Sequence, residues 1–360
     1  MPHDPDSDPL VDWYLYDNKG RPASLKTIHS RYEQFRDRLD RVEQIWTAPE
    51  MSASQSQWVG YDLADYRYVL PPEGVEEVEE LVRLVAEKGG VGSGVVQDVL
   101  MDLLGRSASP SSSAFWVEMM EYTRSRDKYT PRRRQFAAAG LARLAVVKEC
   151  RPALETLLML MGSGRPEVRV EAVRALARAY WLWDQTPSQG LVDAFFAVAA
   201  GDPEFLSRVA ARLGLADCGQ QIPADETPQR YAFSVKLRRD PRFSCRIEAG
   251  SENTLDDLHR LILEGFRWEA GDRGYGFFLN GRAWDDNTGF FGPLSGVEDA
   301  RPASDWALGD LGLAERCTFL YLLDLRECHE FDVKVTGITL LPERFEPRVA
   351  RRRGRLPKQC

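Results

Sequence analysis

The chain has 360 residues, 43 % hydrophobic and 28 % charged, with a net charge of −8. That length holds two or three domains, each able to bury its own core. No apolar run approaches the roughly 20 residues a membrane-spanning helix needs. The acidic, Pro-rich start Met1-Pro2-His3-Asp4-Pro5-Asp6 is unlike a basic, apolar leader, so no membrane partner and a cytoplasmic location are expected.

Residues 1–22 read as irregular. An α-helical domain is expected over 23–219, a linker over 220–229, an α+β domain over 230–341 and a basic tail over 342–360. Hydrophobic residues recur at three- and four-residue spacing before position 220 and alternate after it, as in Phe233, Val235 and Leu237. The two periods cannot share one packed layer, so two modules with separate cores follow. The first helix is expected from Ser24 to Trp46, with Leu39 and Val42 on its apolar face. Others are expected at Val75–Lys88, Gly94–Leu104 and Ser111–Tyr122. The glycine cluster from Gly89 to Gly94 follows a helix rather than a strand and lacks the Lys-Ser/Thr of a phosphate loop. A helix C-cap explains it.

An internal repeat then appears. Pro131-Arg-Arg-Arg-Gln-Phe-Ala-Ala-Ala-Gly-Leu141, Pro166-Glu-Val-Arg-Val-Glu-Ala-Val-Arg-Ala-Leu176 and Pro203-Glu-Phe-Leu-Ser-Arg-Val-Ala-Ala-Arg-Leu213 align without gaps. Each proline is placed to open a helix, and partner helices are expected at Pro152–Met161 and Gln189–Ala199. Over roughly Ser111 to Leu215 these units resemble HEAT-type repeats, most closely from Arg165-Pro166-Glu167-Val168-Arg169 to Leu176-Ala177. The resemblance implies a stacked helical surface that binds a protein partner, with Arg169, Arg174 and Arg178 as candidate contacts.

In the second half, Tyr231–Arg238 and Phe243–Glu248 alternate around Asp240-Pro241 and predict a hairpin. Thr254 before Leu255-Asp256-Asp257 predicts a capped helix. Asn280-Gly281, between Gly276–Leu279 and Arg282–Trp284, predicts a second, tight hairpin. Residues 285–305 read as a loop, with strands returning at Cys317–Leu325 and Phe331–Val335. The expected topology is β-grasp-like, with a ferredoxin-like sheet as the alternative. Tyr231-Ala-Phe-Ser-Val-Lys-Leu237, Thr254-Leu-Asp-Asp-Leu-His259, Tyr275-Gly-Phe-Phe-Leu-Asn-Gly-Arg-Ala-Trp284, Leu308-Gly-Asp-Leu311 and Phe331-Asp-Val-Lys-Val335 occur in order. This segment resembles the plasmid pRiA4b ORF-3-like family, which implies a small α+β module without an established activity. The chain departs from that pattern at Asp324-Leu325-Arg326-Glu327-Cys328-His329, where the family has Asp-Phe-Gly-Asp-x-Trp.

No catalytic, cofactor or metal constellation emerges. Six cysteines (Cys150, Cys218, Cys245, Cys317, Cys328 and Cys360) form no Cys-x-x-Cys pair and read as reduced thiols. Cys328-His329 are neighbours in a strand pattern and so point apart. His259 follows the core-facing Leu258 and reads as a packing or hydrogen-bonding side chain. The acids Asp285, Asp286, Asp299 and Asp305 match no calcium loop. Phe290-Phe291, flanked by glycines in the expected loop, are candidates for a docking patch. The expected function is therefore a non-enzymatic adaptor binding a protein partner. The alternative is a nucleic-acid-associated protein of a mobile-element or defence system, binding weakly and in a salt-sensitive way through the repeat arginines and the tail residues Arg351, Arg352, Arg353 and Arg355.

Overall fold

The computed structural model describes residues 25–48, 70, 72–89, 93–122, 129–182, 185–223, 228–268, 274–284, 288–297, 300–325, 327–341 and 345–353. The chain forms two compact units, Met1–Pro187 and Ser188–Cys360.

The first unit is helical: α1 (Leu25–Thr47), α2 (Pro72–Lys88), α3 (Ser93–Ser107), α4 (Ser113–Glu121), α5 (Thr130–Val147), α6 (Arg151–Met161) and α7 (Pro166–Leu182). Gly89 takes φ +64 directly after α2, the left-handed conformation a glycine accepts without a Cβ clash. In the repeat, α5 packs on both α6 and α7, and α6 packs on α7. Helix α5 also packs closely on α4: a Cβ on Gly140 would lie 2.6 Å from the buried ring of Trp116. Trp46, Phe115 and Trp116 are the largest side chains fully buried in this unit.

The second unit begins with α8 (Gln189–Gly201) and α9 (Phe205–Asp217). It continues with β1 (Gln229–Leu237), β2 (Ser244–Gly250), α10 (Leu255–Phe266), β3 (Tyr275–Phe278), β4 (Gly289–Phe291), β5 (Arg301–Pro302), β6 (Thr318–Leu323), β7 (His329–Leu340) and β8 (Arg348–Arg353). The strands form one sheet in the order β5-β4-β3-β6-β7-β1-β2-β8. Every pair is antiparallel except β4 with β5. Thr254 caps α10 as its sequence predicts: Asp257 N donates to Thr254 Oγ1 at 3.1 Å, and Thr254 N donates to Asp257 Oδ2 at 3.0 Å.

A helical region followed by an α+β region is what the change of period implied, but several boundaries move. The expectation of separate cores meeting at 220–229 is overturned. Phe205, Val209 and Leu213 of α9 share one apolar core with Tyr231, Phe233, Leu258 and Phe319. Arg212 Nη1 donates to Gly309 O at 2.9 Å, and Arg208 Nε donates to Gly312 O at 3.0 Å. Helical period does not reveal which neighbour a helix will choose, so the third repeat-like segment belongs with the sheet.

The Asn280-Gly281 hairpin is also corrected. Gly281 does turn at φ +74, yet β3 pairs with Gly289–Phe291 rather than with Arg282–Trp284. The expected loop thus supplies a strand. The tail expected over 342–360 contributes another, because β8 pairs with β2 at the sheet's edge. The β-grasp-like topology fails because the adjoining β1 and β7 run antiparallel. The ferredoxin-like one fails because β1 and β2 form a hairpin with no helix between them.

Candidate functional site

Four ionisable side chains come together where α10 crosses the sheet. Helix α10 supplies Asp256 and His259, β3 supplies Tyr275, and β6 supplies Tyr321. His259 Nδ1 and the Tyr321 hydroxyl are hydrogen-bonded at 2.7 Å. The imidazole lies flat on the Tyr275 ring, with centroids 3.7 Å apart and planes 7° from parallel. The Tyr275 hydroxyl donates to Asp256, which also pairs with Arg260.

Burial pushes the His259 imidazole down to about 4, Asp256 opposing the shift and Arg260 adding to it. Burial also pushes both phenols up, and Asp256 beside Tyr275 reinforces this. At neutral pH the imidazole and both phenols are uncharged. With His259 only 7 % exposed and Tyr321 fully buried, the array is a closed hydrogen-bonded stack rather than a group presented to substrate. Sequence reasoning placed His259 correctly as a hydrogen-bonding residue. It missed the tyrosines, because nothing in an alternating strand marks which inward ring meets a helix 62 residues away.

The repeat arginines are mostly used internally. Arg169 is 8 % exposed and donates from Nη1 to Ser163 O at 2.8 Å. Arg134, at the equivalent position of the preceding unit, is buried too and donates from Nε to Met120 O at 3.0 Å. Arg174 is half-buried beside Glu171 at 3.3 Å, and Arg178 is exposed. Arg169 is therefore nearly all turned inward: its guanidinium ties down the turn between α6 and α7. The Phe290-Phe291 patch is likewise corrected. Both rings are buried, because β4 inserts between β3 and β5. Phe290 faces Trp306 edge-on at 5.3 Å, and Phe291 meets Phe278 at 5.4 Å on the opposite face.

Cys328 sits at φ +53 in the β6–β7 turn rather than in a strand, and His329 lies against Trp268. The described cysteines are all free thiols. Burial raises Cys245 to about 12 and Cys317 to about 11, which keeps both protonated. No group of three or more potential metal ligands occurs among the described residues; Asp285, Asp286 and Asp299 lie outside them.

The face of the sheet opposite α10 divides in two. Over β3, β4 and β6 it is apolar, and Phe278, Phe291, Leu320 and Leu322 are covered by Ala283, Val297, Ala300 and Leu325. Over β7, β1, β2 and β8 it is exposed and cationic. The register aligns Lys334, Ser234, Arg246 and Arg351 in one cross-strand row, and Asp332, Lys236, Ser244 and Arg353 in the next. Arg352 alternates to the helix side and pairs with Glu264 at 2.9 Å. Arg355 lies outside the described residues.

No family model matches the chain, and no curated protein matches it. A solved structure described as a protein of unknown function, MM3350 from Methanosarcina mazei Go1, is similar over 37 % of this chain and 74 % of its own. Its identity is 18 % and its TM-score 0.30, too low to carry an argument. Among the described residues, no helix is long and apolar enough to cross a membrane.

Proposed function

We propose that this chain is a non-enzymatic adaptor. In this reading the helical unit is a HEAT-like stack that holds a protein partner, and the sheet unit is a module of the pRiA4b ORF-3-like kind working in the cytoplasm. One contrast carries the reading. The buried polar side chains of the His259 array are engaged with one another, while large apolar groups of the helical unit stand in water: Met159 is 65 % exposed and Trp181 50 %. The buried arginines Arg134 and Arg169, in equivalent positions, support the repeat likeness.

Isolation of the tagged full chain from native cells, beside a Met159→Ser/Trp181→Ser variant, tests the reading. A protein recovered in constant ratio with the wild type and lost with the variant is expected. The same protein held equally by both would remove the helical unit as the interface.

The nucleic-acid alternative now rests on the sheet rather than the repeat, because Arg351 and Arg353 remain exposed on β8 while Arg169 is consumed internally.

A further inference from the structure

We propose that the exposed face of β7, β1, β2 and β8 binds the sugar-phosphate backbone of a nucleic-acid duplex. Lys334, Lys236, Arg246, Arg351 and Arg353 all project from this face and are all exposed. None of the five makes an ion pair among the described residues. The nearby acids are already engaged: Arg238 holds Glu330 at 2.9 Å and Asp332 at 2.8 Å, and Arg348 holds Glu248 at 2.8 Å. Arg246 and Arg351 stand directly opposite each other across the β2–β8 pair. Like charges in that position weaken a sheet unless an anion lies between them. A guanidinium pair offers forked donors to such an anion.

The shape of the field selects the class of anion. The cations spread over four strands, about 14 Å at the usual strand spacing. An acidic peptide adding to the edge of β8 would reach Arg351 and Arg353 but not Lys236 or Lys334. A duplex strand carries one phosphate per ~3.4 Å of axis, so about four phosphates span that width. On this side Phe278 and Phe291 are buried under loops, Trp284 stands beside Phe278, and Phe345 lies against Arg230 and Arg348, outside the two cationic rows. The two rows that carry the cations contain no aromatic residue and so offer no platform for stacking unpaired bases, as single-strand binding would need. Phosphate contacts without base contacts make the binding independent of sequence. The net charge of −8 does not forbid it, because screening over ~10 Å at 0.1 M salt leaves the local field in control.

Fluorescence anisotropy of a labelled mixed-sequence DNA duplex with the full chain, at several salt concentrations, tests the proposal. Five phosphate contacts predict a log–log salt slope of about −4.5. Lys236→Gln/Arg246→Gln/Lys334→Gln should reduce the slope to about −2 and weaken binding roughly 100-fold or more near 0.1 M salt. Arg151→Gln, on the helical unit, should change neither. Thermal melts confirm that each variant folds; if the triple variant does not, Arg351→Gln/Arg353→Gln decides, with a slope of about −2.7 expected. No binding at low salt, or a slope untouched by these changes, overturns the proposal. So does a polyglutamate peptide or an unlabelled single strand that competes better than unlabelled duplex. The first would assign the face to an acidic protein and the second to unpaired strands.

Discussion

His259 does its work without a charge. Its imidazole titrates at about 4 in the folded chain, against about 6.5 unfolded. Between those values the unfolded chain takes up a proton that the folded chain refuses. Stability is therefore full above about pH 6.5 and falls as pH drops toward 4, by on the order of 3 kcal/mol. Urea unfolding across that window should show the loss, and His259→Phe should flatten it. Tyr321→Phe removes the partner at 2.7 Å and should cost about 1–2 kcal/mol at neutral pH. Gly140 raises a question of sign, because alanine is the better helix former by up to ~1 kcal/mol. A Cβ only 2.6 Å from Trp116 has no room, and overpacking of that kind costs ~1–3 kcal/mol. Gly140→Ala should therefore lower the melting temperature. At this scale the sequence revealed roles that depend on near neighbours. The hydrogen-bonding character of His259 was legible from Leu258-His259. The inward turn of Arg169 was not, since only the packed repeat shows that its guanidinium ties down the turn between two helices.

Elements were legible where a local signal marks an end. Helix α10 carries its N-terminal cap and its apolar face within 13 residues, and its start could be read directly. Strand β4 has three residues, the first of them Gly289, too short for alternation to show, and it joins the sheet by pairing with β3. Strand β8 reads as a solvated basic run because four of its six residues are arginine. Its pairing comes from backbone hydrogen bonds that side-chain character does not report. Burial of Phe290 and Phe291 makes a definite prediction. Alanine at either position should destabilise the sheet unit by about 3–5 kcal/mol, measured by denaturant unfolding. A docking patch would instead have tolerated the change with stability intact.

At the scale of the whole molecule, the switch of period near residue 220 locates a change of secondary structure but not the boundary between cores. Phe205, Val209 and Leu213 bury their side chains with the sheet, worth roughly 1.5–3 kcal/mol each. A fragment of residues 188–360 should therefore unfold cooperatively on its own. A fragment starting at 219, lacking α8 and α9, should expose core surface and bind a hydrophobic dye; equal melts for the two would contradict the shared core. The same helix also has a history during synthesis. The carbonyls of Gly309 and Gly312 that receive Arg212 and Arg208 lie 97 and 104 residues downstream. At translation rates of ~5–20 residues per second, α9 leaves the ribosome some 5–20 s before those acceptors exist. Its apolar face waits uncovered by the sheet in that interval, which makes it a place for a general chaperone to hold until the sheet is synthesised.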